Sequence, residues 1–324
     1  MRSLSALVLV LVVALPAAVL AQQEAPPATS EPRVVGRTAP ELNGHIFMPS
    51  ALVDPPFRST TAKVGLLYGV GTATGPKYDS SGQVPGETTD YTFAAMAQTF
   101  RYEYQFLDWL SGGVAILTSL YSGVTGASVV SVGAEIGVGA GLRARAGHRF
   151  GPVETAFIID VATQPEYGLL VAAALLRAVN DGVIDPGSAL QATHSLTVNP
   201  ALSAAWAPIP ALGLTVNLGY LFKSLRLTGG AEVLNQSGIQ FSGVVDFDFG
   251  KITSTPVGVQ AGYRIAAPIG SDGISRIEDV TAGVFYTARR EFSLGLELGW
   301  RSFTIRPPLD SSLKLAQIEL QYYW

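Results

Sequence analysis

The chain contains no cysteine. Disulfides, thiolate metal sites, cysteine nucleophiles and a lipidated N-terminal cysteine are all excluded. It is also poor in charge, with Asp, Glu, Lys and Arg making up only 14% of 324 residues. The formal net charge of −4 comes with no basic patch, so nucleic acid is not an expected partner. Beyond Leu20, no apolar run reaches the roughly 18–20 residues that a membrane-spanning helix needs. Yet the mean hydropathy is +0.31. A hydrophobic chain without hydrophobic helices is what spanning strands produce, because only every second residue must face lipid. The 35 glycines and 20 prolines fit a turn-rich β protein.

Site chemistry is equally sparse. The three histidines, His45, His148 and His194, show no two-His metal spacing, and no Asp-rich loop has EF-hand form. The Gly-rich stretch from Gly133 to Gly139 lacks the Lys-Ser/Thr ending of a phosphate-binding loop and reads as a strand of small residues. His194 and Ser195 are neighbours, so on a strand they point to opposite faces and cannot pair directly. Asp246 and Asp248 share a face, but paired carboxylates in such a setting are more often ion-pair partners than catalysts. No catalytic residue, metal site or cofactor is expected.

The strongest positive signal lies at the end of the chain. From Ser312 to Trp324, Ile318, Leu320, Tyr322 and Trp324 fall on one face and Gln317, Glu319 and Gln321 on the other, the period of a strand with one apolar and one wet side. With this ending the sequence resembles bacterial outer-membrane β-barrel proteins, whose last strand typically stops on Phe or Trp. The resemblance implies an all-β, transmembrane antiparallel up-and-down barrel. It further implies contact with outer-membrane lipids, recognition of the C-terminal strand by the barrel-insertion machinery, and aromatic belts at the membrane interface.

Taken in order, residues 1–21 read as a secretory signal peptide cleaved near Ala21: Arg2 is the positive start, and Leu4 to Leu20 is uncharged and mostly apolar. Residues 22–58 form a Pro-rich periplasmic segment. Within it, the apolar stretch after Glu41 is broken by Pro49, Pro55 and Pro56, which confine it to extended or loop structure. The pattern leaves open whether it tucks under or inside the barrel or forms a short pre-strand. Residues 59–324 form the barrel, with strands near 60–71, 91–106, 113–122, 135–147, 153–163, 193–206, 212–223, 237–249, 256–266, 278–289, 292–303 and 312–324. The alternation is clean in several, as where Phe100, Tyr102, Tyr104 and Phe106 oppose Thr99, Arg101, Glu103 and Gln105. Short and long connections alternate, as barrels with short periplasmic turns and longer outer loops require. Both termini periplasmic gives an even count: twelve, with ten and fourteen as the neighbouring alternatives. In the longest loop, Gly168 to Val179 is Ala/Leu-rich, follows Pro165 and is stopped by Asp181-Gly182. These are helix signals, and a short external helix is expected there, as a rim support or a lid.

The inward face should carry Arg101, Glu103, Arg143, Arg145, Arg264, Arg301, Asp246, Asp248, Glu297 and Glu319, together with Glu154, Asp160 and Lys223. Ionised groups in a narrow lumen are costly unless paired, so one reading is a structural charge network. The other is a polar path with a constriction of Arg101, Arg143 and Arg145 against Asp246 and Asp248, which would tune the solutes that pass. Tyr102, Tyr104, Tyr220, Trp300, Tyr322 and Trp324 are the expected membrane-interface aromatics. The leading functional expectation is an outer-membrane channel or transporter for an unknown small or apolar solute, gated by the 168–179 helix. The alternative is a non-conducting structural or adhesion barrel. A lipid-modifying enzyme on the same architecture, as in outer-membrane phospholipases, is the third.

Overall fold

The computed structural model describes residues 40–76, 88–125, 131–169, 190–227, 233–269, 276–306 and 309–324. A two-residue hairpin, β1 (Glu41–Leu42) and β2 (His45–Ile46), comes first. Asn43 (φ 49°) and Gly44 (φ 79°) turn it. Asn-Gly with both φ positive is the sequence that a tight primed hairpin turn demands.

Twelve long strands follow: β3 (Thr61–Pro76), β4 (Thr88–Leu107), β5 (Leu110–Thr125), β6 (Ser131–Phe150), β7 (Val153–Leu169), β8 (Leu190–Ile209), β9 (Leu212–Leu227), β10 (Val233–Asp248), β11 (Val257–Pro268), β12 (Arg276–Tyr286), β13 (Phe292–Arg306) and β14 (Leu309–Tyr323). Each pairs antiparallel with its sequence neighbour, and β14 closes the barrel on β3, with Glu319 opposite Gly65. Closure removes sheet edges and satisfies the strand backbone internally, the condition for strands in lipid.

All twelve expected strands are present, most of them longer than the face pattern suggests. The first runs on to Pro76 through Gly-Thr-Ala-Thr-Gly, residues without apolar alternation, because the ladder to β4 continues to Pro76 opposite Thr88. Apolar periodicity marks the outward apolar band, whereas the hydrogen-bonded wall rises beyond it. The helix expected over Gly168–Val179 lies outside the described residues apart from Gly168 and Leu169, and these two end β7. The one helical element described is a single 3-10 turn, Phe249–Lys251, between β10 and β11.

The burial pattern is that of a soluble protein reversed. Leu66, Ile116, Leu142, Leu202, Leu218, Leu296 and Leu298 are exposed on the outer face, while Glu103, Glu154, Asp246, Asp279, Glu297 and Glu319 are buried inside. At the end carrying the short turns, outward aromatics gather around the C-terminus. The Trp324 ring lies 5.7 Å from Tyr102 and 5.5 Å from Tyr322, and Tyr104 lies 5.1 Å from Phe106. Tyr220 and Trp300 also face outward, but near mid-strand.

Candidate functional site

The lumen is not lined by wall residues alone. Residues 40–60 enter the barrel at the short-turn end, rise to mid-lumen near Asp54, and return to the same end, where β3 begins. Their prolines keep the backbone out of the ladder, so every hold on the wall is made by side chains and isolated backbone groups.

At the entrance, the Asn43 amide donates to the carbonyls of Ala207 (3.1 Å) and Pro208 (3.3 Å). His45 is fully buried. One ring nitrogen meets the Pro210 carbonyl at 3.1 Å and the other meets the Asp246 carboxylate. This contact depends on Gly213: a Cβ there would lie 2.4 Å from both Asp246 Oδ1 and His45 Nε2. Leu42, Phe47 and Phe57 pack on Ala205 and Ala207, and Leu52 and Val53 pack on Val244. Deeper in, the Ala51 amide donates to Glu297 at 3.1 Å, which also accepts from Gln260 at 2.6 Å.

Asp54 is the centre of the seat. Its carboxylate accepts from Arg143 at 2.7 Å on both oxygens and from Arg101 at 2.9 Å. Its backbone carbonyl accepts from Ser203 (2.9 Å) and Asn217 (3.1 Å). Arg143 is shared with Asp160 through two bonds of 2.6 Å. Below it, Arg145 pairs with Glu103 at 2.9 Å and donates to the Phe57 carbonyl. Arg58 pairs with Glu154, and Lys63 with Glu319. The space left around Pro49, Pro55, Arg143 and Arg145 is about 30 Å³, enough for about two or three waters at ~10–15 Å³ each. Above the segment, a cavity of about 280 Å³ is floored by Ser50 to Asp54 and walled by Arg101, Asp160, Asn199, Gln240 and Arg264 among others.

The expected constriction of Arg101, Arg143 and Arg145 against Asp246 and Asp248 is therefore replaced by a different pairing. Arg101 and Arg143 hold Asp54, and Asp246 holds His45. Asp248 accepts from the Gly250 amide and the Thr287 hydroxyl, both at 2.9 Å, at the short-turn rim. Arg264 and Arg301 flank Asp279. The sequence reading missed Asp54 and Asp279 and set His45 aside. Asp54 had a signal, being the only acidic residue between Leu42 and Arg58. So did Asn43-Gly44.

Burial alone would raise the Asp54 carboxyl, but the Arg143 and Arg101 guanidiniums outweigh it and hold it well below its ordinary 3.8. A depressed carboxyl stabilises the seated state above its free value, and that contribution is lost only as pH falls through the lower, seated value. The segment should accordingly stay seated from pH 7 down to pH 4. Ser50→Cys, the sole thiol of such a chain, should resist an impermeant maleimide across that range; labelling that rises anywhere between pH 7 and pH 4 would contradict the Asp54 lock. Gly213→Val should unseat the segment at neutral pH by driving His45 off Asp246. Loss of a hydrogen bond to a charged group costs about 1.5–3 kcal/mol, so the same thiol should label at least tenfold faster, and unchanged labelling would contradict the seat described.

His194 faces outward and Ser195 inward, and His148 is exposed on the outer face against Phe150 at 4.6 Å. Both His45 ring nitrogens are engaged, leaving none for a hydroxyl. Among the described residues no group of three His, Asp or Glu could hold a metal ion.

No protein-family model matches the chain, and no curated protein is similar to it in sequence. Its shape is similar to solved structures. The transport unit of the autotransporter AIDA-I from Escherichia coli matches with a TM-score of 0.54 at 9% identity, over 85% of this chain and 94% of that one. The translocator domain of autotransporter NalP from Neisseria meningitidis matches with a TM-score of 0.51 at 7% identity, over 82% and 89%. The fold is that of the bacterial outer-membrane β-barrels. A Pseudomonas aeruginosa FadL homologue overlaps at a TM-score of 0.45 and 12% identity, over 89% and 99%. In the setting of an outer-membrane barrel, the exposed apolar wall is the lipid face and the buried charges line the lumen.

Proposed function

We propose that this protein is an outer-membrane channel for small solutes, apolar ones included, closed at rest by its own residues 40–60. The observation that carries the reading is the Asp54 seat: wall cations at mid-lumen are neutralised by an anion that the segment brings, bound to Arg101 and Arg143. A permanently closed barrel could pair its wall charges with one another. Here removal of one short segment would uncover a polar path. The segment is held by buried apolar side chains, Leu42, Phe47, Leu52, Val53 and Phe57, and by polar contacts that can be exchanged for water when it leaves.

The gate in this reading is the N-terminal segment rather than the Gly168–Val179 loop. Export by a signal peptide ending near Ala21, short turns facing the periplasm and insertion through the β14 ending belong to the same proposal. A translocator, whose cargo would thread the barrel from end to end, is disfavoured because the segment enters and leaves by one end. The second reading, a closed structural barrel, is favoured by the wall pairs Arg143–Asp160 and Arg145–Glu103. Conductance of the reconstituted protein before and after the segment is removed decides between them: a structural barrel stays silent in both.

A further inference from the structure

Above the Asp54 seat one hoop of the barrel changes character within three strands. Arg264 of β11 stands opposite Asp279 of β12, Asp279 opposite Arg301 of β13, and Arg301 opposite Leu313 of β14. The hoop continues through Gly71 of β3 to Phe93 of β4.

Its first part is over-supplied with positive charge. The Arg264 Nε donates to one Asp279 oxygen at 2.6 Å and Arg301 donates to the other. Asp279 is fully buried, while Arg264 and Arg301 keep 20% and 27% of their side-chain surface open. Two guanidiniums thus share one carboxylate, and Asp279 is their only ion-pair partner among the described residues. Among the described residues one positive charge is left over, and the fork geometry of guanidinium matches carboxylate. Arg264 also lines the cavity above the segment.

The second part is a shelf of glycine and apolar residues, Gly69, Gly71, Phe93, Leu313 and Leu315. A Cβ at Gly71 would lie 2.8 Å from the Phe93 ring, and one at Gly69 would lie 2.9 Å from Leu313 and 3.0 Å from Leu315. Phe93, Leu313 and Leu315 therefore lie flat across the two glycine positions, beside Arg301. From Arg301 on β13 to Phe93 on β4 there are three strand spacings of ~4.8 Å, so arginine and shelf together span roughly 14 Å.

We infer that this hoop is a binding site for an amphipathic organic acid, its carboxylate held by Arg264 and Arg301 and its aryl or short alkyl body laid on the half-buried Leu315 and Phe93, with buried Leu313 beneath them. The inference names a solute class for the channel proposed above and rests on that reading for its physiological sense, although binding can be measured whether or not the protein conducts.

The test is equilibrium dialysis of the full chain in lipid nanodiscs with 3-phenylpropionate, set against 3-phenylpropan-1-ol, which lacks the charge, and acetate, which lacks the body. Both comparison compounds should bind at least tenfold more weakly than the acid, beyond what empty nanodiscs take up. Arg301→Gln and Arg264→Gln should each weaken the acid about tenfold, Arg301→Lys should restore part of it, and Leu315→Asn should weaken the acid while leaving acetate unchanged. Each arginine variant leaves Asp279 one guanidinium, so folding is retained and is checked by the heat-dependent gel shift of a closed barrel. Equal binding of acid and alcohol, or of wild type and Arg301→Gln, overturns the inference. Selective binding without conductance in any variant would remove the channel reading and leave the site; conductance without selective binding would do the reverse.

Discussion

Asp54→Ala is expected to turn an electrically silent barrel into one that opens repeatedly. In the seated state the Asp54 carboxylate answers two guanidiniums, Arg143 through both oxygens and Arg101 through one. Its loss leaves Arg143 with Asp160 alone and Arg101 without an ion-pair partner among the described residues. Removing one partner of a buried pair costs about 3–5 kcal/mol. A third of the Asp54 side chain remains open to the cavity, so screening reduces this to roughly 2–3 kcal/mol. At about 1.4 kcal/mol per factor of ten, the unseated population rises about 30- to 140-fold. The backbone carbonyl of residue 54 still accepts from Ser203 and Asn217, and His45 still meets Asp246. Brief openings are therefore expected, not a permanently open pore. Asp160→Asn is the control, because it removes a wall-to-wall pair without touching the segment and should stay silent. Planar-bilayer recordings of the three proteins check this; openings no more frequent in Asp54→Ala than in Asp160→Asn would refute the lock.

The second large effect uses the missing cysteines. Leu52 and Val244 both lie over Gly262, where a Cβ would be 3.1 Å from the former and 2.9 Å from the latter. A chain carrying Leu52→Cys and Val244→Cys holds these as its only thiols, so oxidation can join nothing else within the molecule. Cross-linked, the segment cannot leave, and the openings of Asp54→Ala should vanish when the three substitutions are combined; a reducing agent should restore them within the same recording. Current that persists through the oxidised form would mean that solute passes with residues 40–60 still seated.

Much of this architecture was legible in the sequence. Period-two faces such as Leu294, Leu296, Leu298 and Trp300 against Ser293, Gly295, Glu297 and Arg301 give the strands, because a barrel wall separates lipid from lumen residue by residue. The inward charges were legible for the same reason. Their partners were not. Asp279 meets Arg264 and Arg301 through strand register, and Asp246 meets His45 across 201 residues, so pairing depends on how the barrel closes. The segment itself was harder still. Pro49, Pro55 and Pro56 remove it from any ladder, and a stretch held by single side chains has no period to read. Only Asn43-Gly44 and the lone Asp54 marked it as more than a linker.

The most direct measurement is the conductance in planar bilayers of the full chain beside a chain lacking residues 40–58, each first verified as a closed barrel by its heat-dependent gel shift. The account predicts silence from the full chain and discrete, long-lived steps from the shortened one. A shortened chain that folds as a barrel and is as silent as the full one would contradict it, and the protein would then be a closed structural barrel.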